Sequence, residues 1–128
     1  MKPFFLAALA VALVSGCAQV PSAVETQNAD YGRPIPQSEC EKVAKRNISS
    51  VLKDPGSAQY RHGTCRKIAV HSIPAFGLPK QYGYAIVTDV NSRNNFGGDT
   101  GFQRWETLIR DGRAIRRTHP RDGFQIPY

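Results

Sequence analysis

The chain has 128 residues, with 17 lysines and arginines against 10 acids and a formal charge of +7. That length excludes an assembly of several ordinary domains. No glycine-rich phosphate loop, serine elbow or RNA-binding signature occurs, so nucleotide-dependent and nucleic-acid-directed classes are not expected.

The chain opens with Met1-Lys2-Pro3, a short positive start. Phe4 to Val14 is uninterruptedly apolar, and Ser15-Gly16 follow as small residues before Cys17. This is the charge order of an export signal. The apolar run is shorter than the ~20 residues a membrane span needs. Val14-Ser15-Gly16-Cys17 resembles a bacterial lipobox, in which the Cys17 thiol is acylated and the chain is cut just before it. Residues 1–16 are therefore expected to be a lipoprotein signal peptide. Ala18, rather than an aspartate, follows Cys17, which favours the outer membrane, facing the periplasm. Multiple acyl chains on Cys17 would suffice as an anchor, at about 0.8 kcal/mol per buried CH₂. Lys2 leaves with the leader, so 16 basic and 10 acidic residues remain, a charge of +6.

Residues 17–37 form the lipidated cysteine and its tether. The stretch from Ala18 to Gln37 carries three prolines and no helical or alternating period, the pattern of a flexible linker. Residues 38–128 then make one small domain, of a size at which covalent staples are common. Cys40 and Cys65 are the cysteines left after lipidation. In an oxidising compartment the favoured reading is a Cys40–Cys65 disulfide; the alternatives are two buried thiols or a metal site. No metal is expected, because His62 lies three before Cys65 while His71 and His119 supply no second paired spacing. No cofactor is expected either.

Within the domain, Ser38 and Glu41 have the spacing of a capping box. Cys40, Val43, Ala44, Ile48, Val51 and Leu52 then fall near one helical face, which predicts a helix over 39–53. Asp54-Pro55-Gly56 reads as its terminating turn. Alternation predicts strands over 58–62, 65–73, 81–90 and 102–109, and Asp111-Gly112 predicts a hairpin returning through 113–117. The expected class is α+β, with one amphipathic helix packed on an antiparallel sheet of three to four strands and the other face partly wet.

Three stretches invite a functional reading. Asn94-Asn95-Phe96-Gly97-Gly98-Asp99 continues into Thr100-Gly101, so the chain contains Asp-Thr-Gly, the tripeptide of aspartic proteases. Those enzymes place it at the end of an apolar strand, with two aspartates sharing a proton. Here glycines precede it, Phe102 follows, and it occurs once; the plainer reading is a turn-rich connection. A hydrolase centred on Asp99 is the third reading of the chain, below two binding readings. Asp89 and Glu106 are the other acids placed on neighbouring strands, read as solvent-facing. Tyr60, Tyr82, Tyr84, Phe102 and Trp105 read as packing residues. The third stretch is basic: Arg104, Arg110, Arg113, Arg116, Arg117 and Arg121, read first as a solvated hairpin face. The sharper reading makes Arg110, Arg113, Arg116 and Arg117 an anion surface for phospholipid headgroups or lipopolysaccharide phosphates.

Leu52-Lys53-Asp54-Pro55-Gly56-Ser57-Ala58-Gln59-Tyr60-Arg61, with Gly83-Tyr84, Val90-Asn91, Asn94 and Phe96-Gly97-Gly98-Asp99-Thr100-Gly101-Phe102, resembles the paired segments of a family of small exported bacterial proteins and lipoproteins without an assigned activity. The resemblance covers most of residues 50–102 and implies no catalytic residue. Asp99 stands where that family usually has an aromatic residue, and Thr88-Asp89 where it often has Cys-Gly. The expectation is thus a non-enzymatic lipoprotein of the outer membrane that binds or supports another envelope component, a protein partner reached through the sheet face and residues Asn94 to Asp99. Nucleic acid is not expected as a partner.

Overall fold

The computed structural model describes residues 21–70, 77, 79–118 and the backbone of 126–127. The expected signal peptide and the expected lipidation position, Cys17, lie outside the described residues, as do His71, His119 and Arg121.

The elements run α1 (Ala23–Asn28), α2 (Gln37–Ser49), β1 (Asp54–His62), β2 (Arg66–Val70), β3 (Gln81–Arg93), β4 (Gln103–Arg110), β5 (Arg113–Thr118) and β6 (Ile126–Pro127). The class is α+β: one antiparallel sheet with helices. The sheet has six strands rather than three to four, in the order β1-β3-β4-β5-β6, with β2 also paired to β3.

The long strand β3 carries two of them along one edge. β1 pairs with its far half, Tyr60 opposite Val90, and β2 with its near half, Ala69 opposite Tyr82. The two are successive pieces of one edge, interrupted at Gly63-Thr64-Cys65, where the Gly63 N–H still reaches the Val87 carbonyl at 2.8 Å. Asp54-Pro55-Gly56, expected to be a turn, opens β1 instead. An edge strand tolerates a proline because its outer N–H positions need no partner. The pairing slips between Asp54 and Gln59, and the Ser57 hydroxyl fixes the slip by bonding the Asp54 carbonyl and accepting the Arg93 N–H.

Helix α2 stops at Ser49, four residues before its expected end, because residues 50–53 are needed to turn the chain into β1. Its start also differs. The N-cap is Pro36, and no side chain caps it, so the Ser38–Glu41 box does not form; the Pro36 carbonyl accepts from Glu39 and Cys40 instead. The Gln37 side chain is used elsewhere. Its Nε2 donates to the Gly63 carbonyl and its Oε1 accepts from the Cys65 N–H, both at 2.8 Å. One amide thereby satisfies two groups that the strand break leaves unpaired. The Cys40–Cys65 disulfide joins the same two elements, over 25 residues of sequence.

The buried stripe of α2 is Cys40, Val43, Ala44 and Ile48. The first three pack on Ile86 and Ile109, while Ile48 packs on Val90 and Trp105. Burying each branched side chain contributes about 1.5–3 kcal/mol. The opposite sheet face has a smaller cluster, Val70, Ala85 and Leu108, with Ile68 and Ile115 beside it. Gly83 lets β3 and β4 approach: a Cβ there would lie 2.5 Å from the Ile109 carbonyl oxygen. The Asp111-Gly112 turn has φ of 50° and 76°, the two positive angles of a type I′ hairpin.

Residues 22–36, expected to belong to the flexible tether, lie along the start of β3 and the end of β4. Ser22 and Glu25 form a complete capping box on α1. Lys80 bonds Glu25 at 2.9 Å, Arg110 bonds Asp30 at 2.8 Å, and the Arg33 N–H donates to Asp111 at 2.8 Å. Tyr31 meets Tyr82 edge-on at 5.7 Å, and Ile35 packs on the core. The six-residue helix was invisible to a search for apolar periodicity because it buries no residue. Its signal was the Ser22–Glu25 spacing.

Candidate functional site

The connection between β3 and β4 is organised by Asn94. Its Oδ1 accepts the N–H groups of Phe96 and Gly98 at 2.9 and 3.1 Å. Its backbone N–H donates to the Gly98 carbonyl, and its carbonyl accepts from Gly97. Gly97 and Gly101 have φ of 77° and 74°, which glycine adopts without strain. Asp99 pairs with Arg93 through the backbone, and the Thr100 N–H bonds the Ser92 carbonyl. The result is a closed turn with Asn95 and Phe96 at its tip.

Phe96 is 96% exposed. A phenyl group held outward on a hydrogen-bonded turn forgoes a burial contribution of about 1.5–3 kcal/mol until something covers it. Beside the turn, Val51, Leu52, Ser92, Asn94 and Gln103 border an open groove of about 420 Å³ that reaches Trp105. Val51, expected on the buried face of the helix, lies beyond its end and is 40% exposed. Asp99 sits exposed on this turn. Among the other acids, Asp89 pairs with Arg104 at 3.4 Å, and Glu106 stands opposite Val87.

Neither a family model, nor a curated protein, nor a solved structure matches the chain.

The four arginines singled out in the sequence are not brought to one surface. Arg110 is half-buried, bonded to the Asp30 carboxylate and to the carbonyls of Asp30 and Tyr82. Arg117 turns to α2, where it bonds Asn47 and lies 5.8 Å from the Trp105 ring centre. Arg116 is only 2% exposed. It borders a small cavity with Val70, Ala85, Glu106 and Leu108 on the sheet face away from α2, and desolvation pushes its pKa down. Arg113 alone is exposed, beside Arg46 of α2 in a groove the sequence did not bring to mind.

The face away from α2 carries paired charges as well as the apolar cluster. Arg61 stacks 3.7 Å from the Phe102 ring centre. Arg66, Val87, Arg104 and Glu106 border a shallow groove of about 350 Å³. On the helix side, Nδ1 of His62 lies 3.0 Å from the Thr88 hydroxyl, and its ring stacks on Tyr60. Cys65 is committed to the disulfide. No helix among the described residues is long and apolar enough to cross a membrane, and none of their His, Cys, Asp and Glu side chains form a group of three or more that could hold a metal.

Proposed function

We propose that the chain is a non-enzymatic outer-membrane lipoprotein, anchored through acylated Cys17, whose domain binds a protein component of the envelope through the Asn94–Asp99 turn and the sheet face beside it. The observation that carries this reading is Phe96, presented almost fully to solvent on a turn whose backbone is fixed by its own hydrogen bonds. Aromatic residues are enriched among interface anchors, and a preformed turn lowers the ordering cost of binding. Placement supports it as well. Residues 22–36 contact the start of β3, while the turn follows its end, 13 residues along the strand, or about 40 Å at ~3.4 Å per residue. The turn thus points away from the end of the domain at which the anchored segment arrives.

The test is a crosslinking pull-down from membranes, comparing wild type with Cys17→Ser and Phe96→Asp. Distinct envelope proteins captured by wild type, resistant to moderate salt and lost in Phe96→Asp, are the expected outcome. Loss in Cys17→Ser would add that the anchor brings the partners together. Capture that is unchanged in Phe96→Asp would remove the turn from the interface.

A further inference from the structure

The second half of α2 and the start of β5 enclose an open groove of about 490 Å³. Val43 and Ala114, both part of the core packing, form its apolar floor. Arg46 and Arg113 stand over it, with Asn47 and Ser50 on the same rim. Both guanidinium groups are exposed, and neither has an ion pair or a side-chain hydrogen bond among the described residues. The nearby acids are engaged elsewhere: Glu39 holds Arg33 at 2.8 Å, and Asp111 accepts the Arg33 N–H and lies 3.9 Å from Arg110. Two full positive charges therefore share one concavity with no counter-charge among the described residues. Exposed like charges repel weakly through water, and an anion bound between them would replace that repulsion with attraction.

We infer that this groove is a phosphate-binding site, formed by Arg46 and Arg113 with the Ser50 hydroxyl. Each guanidinium offers a planar fork of N–H donors that matches two phosphate oxygens. The hydroxyl supplies a further donor. The carbonyl end of α2 lies nearby and opposes an anion, but it carries only about half an elementary charge against two whole ones. The site pairs a helix residue with a strand residue 67 positions later, a juxtaposition that the run of arginines near the C-terminus does not suggest. It lies apart from the Phe96 turn and does not depend on the protein-binding reading. A phosphate presented there belongs either to a lipid headgroup or to a soluble compound.

An NMR titration of the isotope-labelled full chain in neutral detergent, with inorganic pyrophosphate at low salt, tests the site. Saturable shifts are expected at the side-chain N–H groups of Arg46 and Arg113 and at Ser50. The double variant Arg46→Gln/Arg113→Gln should weaken binding at least tenfold with an unchanged melting temperature, while Arg104→Gln should leave it intact. Flotation of the Cys17→Ser chain with phosphatidylglycerol or phosphatidylcholine vesicles identifies the source. Flotation only with the anionic lipid, lost in the double variant, assigns a headgroup; pyrophosphate saturation without flotation assigns a soluble phosphate. Shifts spread over all exposed arginines, or equal affinity in the double variant, would overturn the proposal. Phe96→Asp should not alter either readout, so this result and the capture of protein partners can fail independently.

Discussion

Arg116 and Arg117 are adjacent in sequence and opposite in environment, because successive residues of a strand face opposite sides of the sheet. Arg116 packs against Leu108 and Val70; Arg117 lies over Trp105. Arg116→Ala should therefore destabilise the fold by about 2–4 kcal/mol, the range for truncating a large buried side chain. Arg113→Ala should stay within about 0.5 kcal/mol, as exposed substitutions do. Urea unfolding of the two variants checks the contrast; equal stability would mean that Arg116 is not packed as described. His62 makes a pH-dependent contribution. Desolvation, opposed by Glu41 and aided by Lys45, lowers its pKa from the ordinary 6.5. The folded state thus favours the neutral ring. Its contribution is complete above pH 6.5 and is lost as pH falls through the folded-state value, since the unfolded chain takes up the proton first. Melting temperatures should fall between pH 7 and pH 5, and His62→Gln should flatten that slope. Below 4.5, Glu25 and Glu39 add a further loss, because their pKa values are lowered too, by bonds to the Ser22 backbone and to the Arg33 side chain respectively. At this scale the cysteine pair was legible, since few partners were available. Gln37 was not: its value depends on where a distant strand breaks, and a glutamine before a helix gives no hint of that.

The elements with clean alternation, β3 and β4, were readable because each has one face against α2. The Asp111-Gly112 turn was readable because few residue pairs accept two positive φ angles. β1 and β2 were read as separate strands, which they are; what was not legible is that both lie along one edge of β3. The cause is the break at Gly63-Thr64-Cys65, held by Gln37 and the disulfide rather than by local turn chemistry. The chain-entropy relation gives about 3.5 kcal/mol for a loop of this size. Reduction should therefore lower stability by about 3–4 kcal/mol in urea. Hydrogen exchange should quicken first at residues 63–70, where β2 rests on β3 alone. Uniform exchange along the whole sheet would place the staple's effect elsewhere.

For the whole molecule, the acids of residues 22–36 meet the bases of the domain. Glu25 meets Lys80, and Asp30 meets Arg110. Exposed pairs contribute little and are screened by salt, so this contact is marginal and adjustable. Glu25→Lys with Asp30→Lys should open residues 22–34 to limited proteolysis at low salt, and 1 M salt should do much the same to wild type. Resistance in both cases would show that Tyr31 and Ile35 suffice. None of this docking was legible in composition, because proline-rich polar sequence reads as linker whether it is free or laid on a surface.

That docking sets the length of the leash. With residues 22–36 held on the domain, and Cys17 lipidated as proposed, only the chain from Cys17 to Ser22 would separate the anchor from folded protein. Five residues reach at most about 18 Å, at 3.3–3.6 Å each. The domain would then ride against the bilayer in a narrow range of tilts. Released, the 20 residues from Cys17 to Gln37 would let it swing through a volume several times larger, so a change in local salt would alter how far from the proposed anchor it can search.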